Sequence, residues 1–241
     1  MTFVNSYNNE IRAQAYAELE FPGTYYLAYR DLPDIISRYV SGNMALDFGC
    51  GTGRSTRFLR DMGFDVTGVD IARDMIEKAR FKDPDGRYIL VTNGELGFEG
   101  GKKYDLILSV FTFDNIPTFQ KKAELFNAMA HVLSPTGKIV HLCSSPDVYV
   151  HEWASFSTKD YPENRHAKSG DKVKIIITEI DDKRPVEDIM WSHDDYCRVF
   201  QNAELEIVDS HKPLGHPHEP FEWIHETELS PWVIYVLGKS S

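Results

Sequence analysis

The chain predicts an α/β fold built on a parallel sheet, and three features of the sequence carry that prediction. Short β-branched runs alternate with helix-length stretches between Met44 and Leu142, glycine and proline punctuate the joins, and a glycine-rich loop leads from the first run into the first helix. Parallel strands are covered by helices on both faces, so they read as nearly unbroken apolar segments, as these do.

The elements follow in order. Residues 5–42 are expected to form helices, a cap over 1–42 at the C-terminal edge of the sheet, with the main domain over 43–241. MALDF (44–48) is a short apolar strand that stops at glycine. Arg54 to Asp61 reads as a helix that Gly63 ends. FDVTGVD (64–70) is the next strand, and Ala72 to Phe81 places Met75, Ile76 and Ala79 at helical spacing. RYILVT (87–92), YDLILSV (104–110) and KIVHLCS (138–144) are further strands. A helix from about Thr118 to Leu133 lies between the last two, closed by the turn signature Ser134-Pro135-Thr136-Gly137. Residues 146–170 are polar and aromatic without a clear period and are expected to form an ordered insertion or lid. KVKIIITEI (172–180) and VEDIMW (186–191) flank Asp181-Asp182-Lys183-Arg184-Pro185 and predict an antiparallel hairpin, so insertion and hairpin span about 146–191. His193 to Ala203 is a helix, and ELEIVDSHKPL (204–214) and PWVIYVLGK (231–239) are the final strands.

Length and charge narrow the partners. The 241 residues suffice for one sizeable core, and 42% hydrophobic with 26% charged residues is ordinary globular composition. With 26 Lys+Arg against 37 Asp+Glu the formal net charge is −11, which repels phosphate backbones and argues against a nucleic-acid substrate. Cys50, Cys143 and Cys197 are widely spaced with no CxxC, a pattern of free thiols in a reducing compartment. The N-terminus has no apolar signal core, and no run approaches the roughly 20 apolar residues that span a bilayer. A cytoplasmic protein, monomeric or homodimeric, is the expectation.

The most informative stretch is Asp47-Phe48-Gly49-Cys50-Gly51-Thr52-Gly53, followed by Arg54-Ser55-Thr56. Glycines let backbone turn sharply and approach a ligand with no Cβ in the way. The helix start then offers free N–H groups to a polar or anionic ligand. A dinucleotide fingerprint GxGxxG counted from Gly49 requires glycine where Arg54 stands, which disfavours a nicotinamide cofactor.

The acid two residues before three alternating glycines resembles the first motif of class I S-adenosylmethionine-dependent methyltransferases. Gly68-Val69-Asp70 at the end of the next strand fits the same family. The resemblance spans about 44–142. It implies a Rossmann-like three-layer sandwich, a seven-stranded, mostly parallel sheet whose last strand, PWVIYVLGK, is antiparallel. It implies S-adenosyl-L-methionine as cofactor, S-adenosyl-L-homocysteine as product, and methyl transfer to N, O or S of a small-molecule acceptor. By the same resemblance Asp47, Gly49, Cys50, Gly51 and Thr52 belong to the cofactor site, as do Gly53, Ser55 and Thr56. Asp70 is expected to accept hydrogen bonds from both ribose hydroxyls, with Ile71 and Met75 beside it. Glu95 or the amides of Asn93 and Gly94 are expected to meet the adenine amino group. Ser109, Val110 and Phe111 end the fourth strand beside the methionine part.

Other residues carry two readings each. Tyr25 and Tyr29 are i,i+4 neighbours if helical. With Arg30 they either pack a cap, or Arg30 grips the cofactor carboxylate while a tyrosine lines the methyl channel. Asp114, before Asn115, either orients an acceptor or caps the next helix. His151 in the insertion is a candidate base or acceptor contact, whereas His141 in mid-strand reads as a core imidazole. His216-Pro217-His218-Glu219 lacks a third ligand at a convincing spacing and reads as solvated loop, so no metal is expected.

Overall fold

The structure is a computed structural model that describes residues 23–92, 96 and 101–240. Helices α1 (Thr24–Arg30) and α2 (Leu32–Tyr39) precede β1 (Met44–Phe48), α3 (Arg54–Asp61), β2 (Asp65–Asp70), α4 (Arg73–Lys82) and β3 (Arg87–Leu90). Then come β4 (Tyr104–Val110), α5 (Phe119–Val132), β5 (Leu133–Ser144), β6 (Phe156–Ser157), β7 (Lys172–Ile177) and β8 (Val186–Ile189). The chain closes with α6 (His193–Asn202), β9 (Leu205–His211) and β10 (Trp232–Lys239).

Seven strands form one sheet in the order β3-β2-β1-β4-β5-β10-β9. β1 pairs in parallel with β2 and β4, β2 with β3, and β4 with β5. β10 alone runs antiparallel, against both β5 and β9. The strand order reverses at β1/β4, and an open α/β sheet leaves its crevice there, beyond the C-terminal ends of the strands.

The two-residue side-chain period of each strand divides the core. Ala45, Leu106, Leu108, Val140, Leu142, Trp232 and Ile234 face α1, α2 and α3. Leu46, Ile107, Ile139, Cys143, Val233 and Tyr235 face α5 and α6. Both faces are dry, which is why these strands are apolar without alternation. Two helices start where a side-chain oxygen replaces a missing backbone partner: Thr118 accepts from the Lys121 amide at α5, and Ser192 from the Asp195 amide at α6.

Three local expectations change. The Ser134–Gly137 segment lies inside β5, not before it. Tyr104 pairs with Leu133 and Leu106 with Lys138, so the extra residues are absorbed as an irregularity in the ladder. β3 ends at Leu90, and the Val91 amide makes the last bond of its ladder with β2, to the Asp70 carbonyl at 2.9 Å. The β7–β8 hairpin gains a third strand, β6, from the stretch without a period. That stretch is held by buried Asn164, whose amide nitrogen donates to the Tyr149 and Lys174 carbonyls while its oxygen accepts from the Lys174 amide. No helix among the described residues is long and apolar enough to cross a membrane. Residues 1–22, where part of the helical cap is expected, lie outside the described residues.

Candidate functional site

The loop between β1 and α3 forms one wall of a cavity of about 780 Å³. Gly49 and Gly51 hold φ of 75° and 53°, the left-handed region that other residues enter at a cost. A Cβ on Gly49 meets the Thr112 side chain at 2.2 Å, so the loop and the turn after β4 touch with no room between them. The amides of Gly49 and Cys50 both donate to the Val69 carbonyl, at 2.8 and 2.9 Å, which fixes the loop to the end of β2.

Asp70 stands at that end. Its carboxylate accepts from the Gly51 amide at 2.9 Å and from the Ala72 amide at 2.8 Å. Burial raises its pKa, and these amides oppose the rise. An ionised carboxylate has about four acceptor sites, so two bonds leave it able to accept more from the cavity.

Behind the loop, Asp47 is fully buried on β1. One oxygen, Oδ2, accepts from the Ser55 hydroxyl at 2.7 Å and the Thr56 hydroxyl at 2.6 Å, while Oδ1 has no hydrogen-bond partner among the described residues. Burial pushes its pKa up to about 6, against the pull of those hydroxyls. A raised carboxyl pKa means that the folded chain holds the proton more tightly than the unfolded chain. The stabilisation is therefore complete below about pH 4 and lost as pH rises through about 6, a swing on the order of 2–3 kcal/mol. Asp47→Asn is expected to flatten that part of the pH profile, which denaturant unfolding at pH 4 and pH 7 measures.

Tyr29, Arg54, Val110, Phe111 and Thr112 also meet the cavity. The Tyr29 hydroxyl is in hydrogen-bond contact with Arg54 and Ser55. The Arg54 guanidinium lies over the Tyr25 and Tyr29 rings, 5.7 and 5.3 Å from their centroids. Helix α1 is anchored from its start: the Thr24 hydroxyl donates to buried Glu226 at 2.7 Å, and the Trp232 indole N–H donates to the Thr24 carbonyl at 2.9 Å. Phe111 is a non-glycine residue at φ 58°, a backbone conformation that surrounding packing must enforce.

Of the residues the sequence nominates, Tyr29, Gly49, Cys50, Gly51, Thr52 and Ser55 line the cavity, as do Asp70, Ile71, Met75, Val110 and Phe111. Asp47 and Thr56 stand one layer behind. Gly53 has its open side filled by the Tyr88 ring. Tyr25 is covered by Phe111, Phe156 and Trp232. The alternation of β4 turns Ser109 to the face of Ile107, away from Val110. Asn93, Gly94 and Glu95 lie outside the described residues.

Three expectations are corrected. Arg30 does not reach the cavity: its guanidinium is held by Asp31 at 2.7 Å, by Glu219 at 2.8 Å and by the Leu214 carbonyl. Asp114 is not in the lining either. It accepts from the Ser144 amide and hydroxyl, and burial pushes its pKa up while it pushes that of neighbouring Lys122 down. His151 lies in a separate, smaller cavity. Conversely, the lining includes Arg54, which in the sequence only breaks the dinucleotide pattern, together with Thr112, Asn115 and Lys121. The available signal for Arg54 is its place at the first helical position after the glycines.

Exchanging the arginines separates the two positions. Arg54→Ala is expected to weaken S-adenosylhomocysteine binding at least about tenfold, by loss of a charged contact. Arg30→Ala is expected to leave the dissociation constant unchanged and to cost on the order of 1 kcal/mol of stability. Calorimetry and thermal unfolding read the two effects.

Residues 46–141 match the family model described as a methyltransferase domain. Over that segment the chain is similar to methyltransferase domains. The seven-stranded sheet with its one antiparallel strand is the fold that the sequence resemblance implies. The demethylmenaquinone methyltransferase of Tropheryma whipplei (strain Twist) is 40% identical over 103 residues, 42% of this chain and 41% of that protein. The putative methyltransferase YqeM of Bacillus subtilis (strain 168) is 25% identical over 66% of this chain and 65% of its own. This chain thus spans about two-fifths of the length of the first of these relatives. The CcbJ methyltransferase of Streptomyces caelestis superposes with a TM-score of 0.66 at 16% identity, covering 98% of this chain and 99% of its own, a likeness of fold.

Proposed function

We propose that the chain is an S-adenosylmethionine-dependent methyltransferase that acts in line on a small-molecule acceptor. The observation that carries this reading is the pairing of an open glycine loop with a buried carboxylate oxygen behind it, Asp47 Oδ1, that has no hydrogen-bond partner among the described residues. An orphaned anionic acceptor of this kind suits the α-ammonium group of an amino-acid cofactor. Arg54 suits the carboxylate of the same group, and Asp70, with acceptor capacity to spare, suits the two ribose hydroxyls. Ile71, Met75 and Leu90 give the adenine an apolar wall.

When bound, S-adenosylmethionine supplies a sulfonium methyl that is electrophilic without further activation. The chain's residues then have to hold, orient and dry. Tyr29 and Phe111 put aromatic faces on the cavity, worth about 0.5–2 kcal/mol toward a cation. Fixing an acceptor in line is worth on the order of 7–11 kcal/mol of barrier. Among the described lining residues Asp70 is the one carboxylate, and Tyr29 and Lys121 carry other groups that can exchange a proton. A small acceptor fits a walled cavity beside the cofactor and a chain of net charge −11, and the Tropheryma relative is named for methylating demethylmenaquinone, an organic molecule rather than a macromolecule. Three unpaired cysteines fit a reducing compartment, which we read as the cytoplasm. A screen of metabolites with methyl-labelled cofactor tests the activity. Label in a low-mass product is expected, and label only in protein or nucleic acid would overturn the small-molecule reading.

A further inference from the structure

A second cavity, of about 300 Å³, lies in the insertion and shares no lining residue with the first. Its walls come from 149–152, from 158–165 and from His225, which precedes β10. They are firmly built. The Trp153 indole N–H, in the core beside His151, donates to the Val148 carbonyl at 3.0 Å, and Asn164 ties Tyr149 to β7. An aromatic series separates this cavity from the first: Phe111 against Trp232 at 4.7 Å, Trp232 against Phe156 at 5.6 Å, and Trp153 against the His151 ring at 6.2 Å.

The chemistry of the walls is unlike that of the rest of the chain. Lys159 and Arg165 bring fixed positive charge and form no ion pair among the described residues. His151 is half-buried, its ring makes no hydrogen bond among the described residues, and that ring lies 5.3 Å from that of His225. The His225 Nδ1–H donates to the Glu152 carbonyl at 2.7 Å, which fixes that ring at the cavity edge. Glu152 is the one carboxylate among the described lining residues. It is occupied locally, its Oε1 accepting from the Thr158 amide at 2.6 Å and hydroxyl at 3.1 Å. Two cations, two imidazoles and the Tyr161 hydroxyl therefore converge on one recess of a protein whose net charge is −11.

We propose that this recess binds an oxyanion, the phosphate or carboxylate group of a small molecule, at a site separate from the main cavity. A guanidinium fork matches two oxygens of such a group at once, and the Lys159 ammonium with the His151 imidazole adds donors around it. The volume leaves room for a small organic body beside the charged group. The site does not depend on the methyl-transfer reading.

Calorimetric titration of the full chain with sodium phosphate, and separately with sodium acetate, at an ionic strength fixed with sodium chloride, tests it. Saturable binding is expected with at least one ion, and the preferred ion tells phosphate from carboxylate. Arg165→Glu and His151→Gln are each expected to weaken it at least about fivefold. Arg165 is exposed, so its variant is expected to keep the wild-type unfolding midpoint, and Lys159→Glu repeats the test at another exposed position. The isotherm is expected to be unchanged by saturating S-adenosylhomocysteine. No saturable heat with either ion, equal affinity in all three variants, or displacement of the ion by S-adenosylhomocysteine would each overturn the proposal.

Discussion

Gly49→Val is expected to lose measurable S-adenosylhomocysteine binding and about 2–5 kcal/mol of stability. Two costs combine. A β-branched residue at φ 75° is strained whatever the space around it. Its Cβ also meets the Thr112 Oγ1 and Cγ2 atoms at 2.2 and 2.3 Å, and the Thr112 hydroxyl donates to the Phe48 carbonyl at 3.0 Å. Moving Thr112 therefore shifts both cavity walls together. Gly51→Ala makes the contrast. Its φ of 53° costs the backbone, but no heavy atom lies within 4 Å of the added Cβ. It is expected to fold with a loss of about 1–2 kcal/mol and to weaken binding through the methyl beside the ligand. Thermal unfolding with calorimetry on both variants separates crowding within the chain from crowding of the ligand.

Asp70→Ala is expected to weaken cofactor binding at least about tenfold, the equivalent of 1.4 kcal/mol or more. It also leaves the Gly51 and Ala72 amides without their acceptor, at about 1–3 kcal/mol for each amide that stays dry. Asp70→Asn keeps one acceptor oxygen and the size of the side chain. It is expected to recover most of the stability and only part of the affinity, since one amide oxygen cannot accept from both ribose hydroxyls. Equal affinity in the wild type and both variants would move the ribose contact elsewhere.

The features legible in the sequence are those whose cause is local. The glycines at 49, 51 and 53 mark a tight turn, the apolar runs mark strands buried on both faces, and Thr118 marks a helix start. Asp70 is readable because it follows a strand that follows that turn. Features set by distant partners are not readable. Arg30 and Arg54 look alike along the chain. What separates them is Glu219, which arrives from 189 residues away to hold Arg30, whereas Arg54 follows the glycine loop into the cavity. Asp114 and His151 fail for the same reason. Ser144 claims the first, and the insertion folds the second into its own recess. The third strand, β6, is two residues long and pairs only because β7 is already in place, so no period announces it.

The central claim is tested most directly by titrating the purified chain with S-adenosylhomocysteine, and with NAD as comparison, by calorimetry. The account predicts one saturable site for the sulfur ligand, weakened by Asp70→Ala and Arg54→Ala, and no heat with NAD. Binding of NAD with none of the sulfur ligand would contradict it.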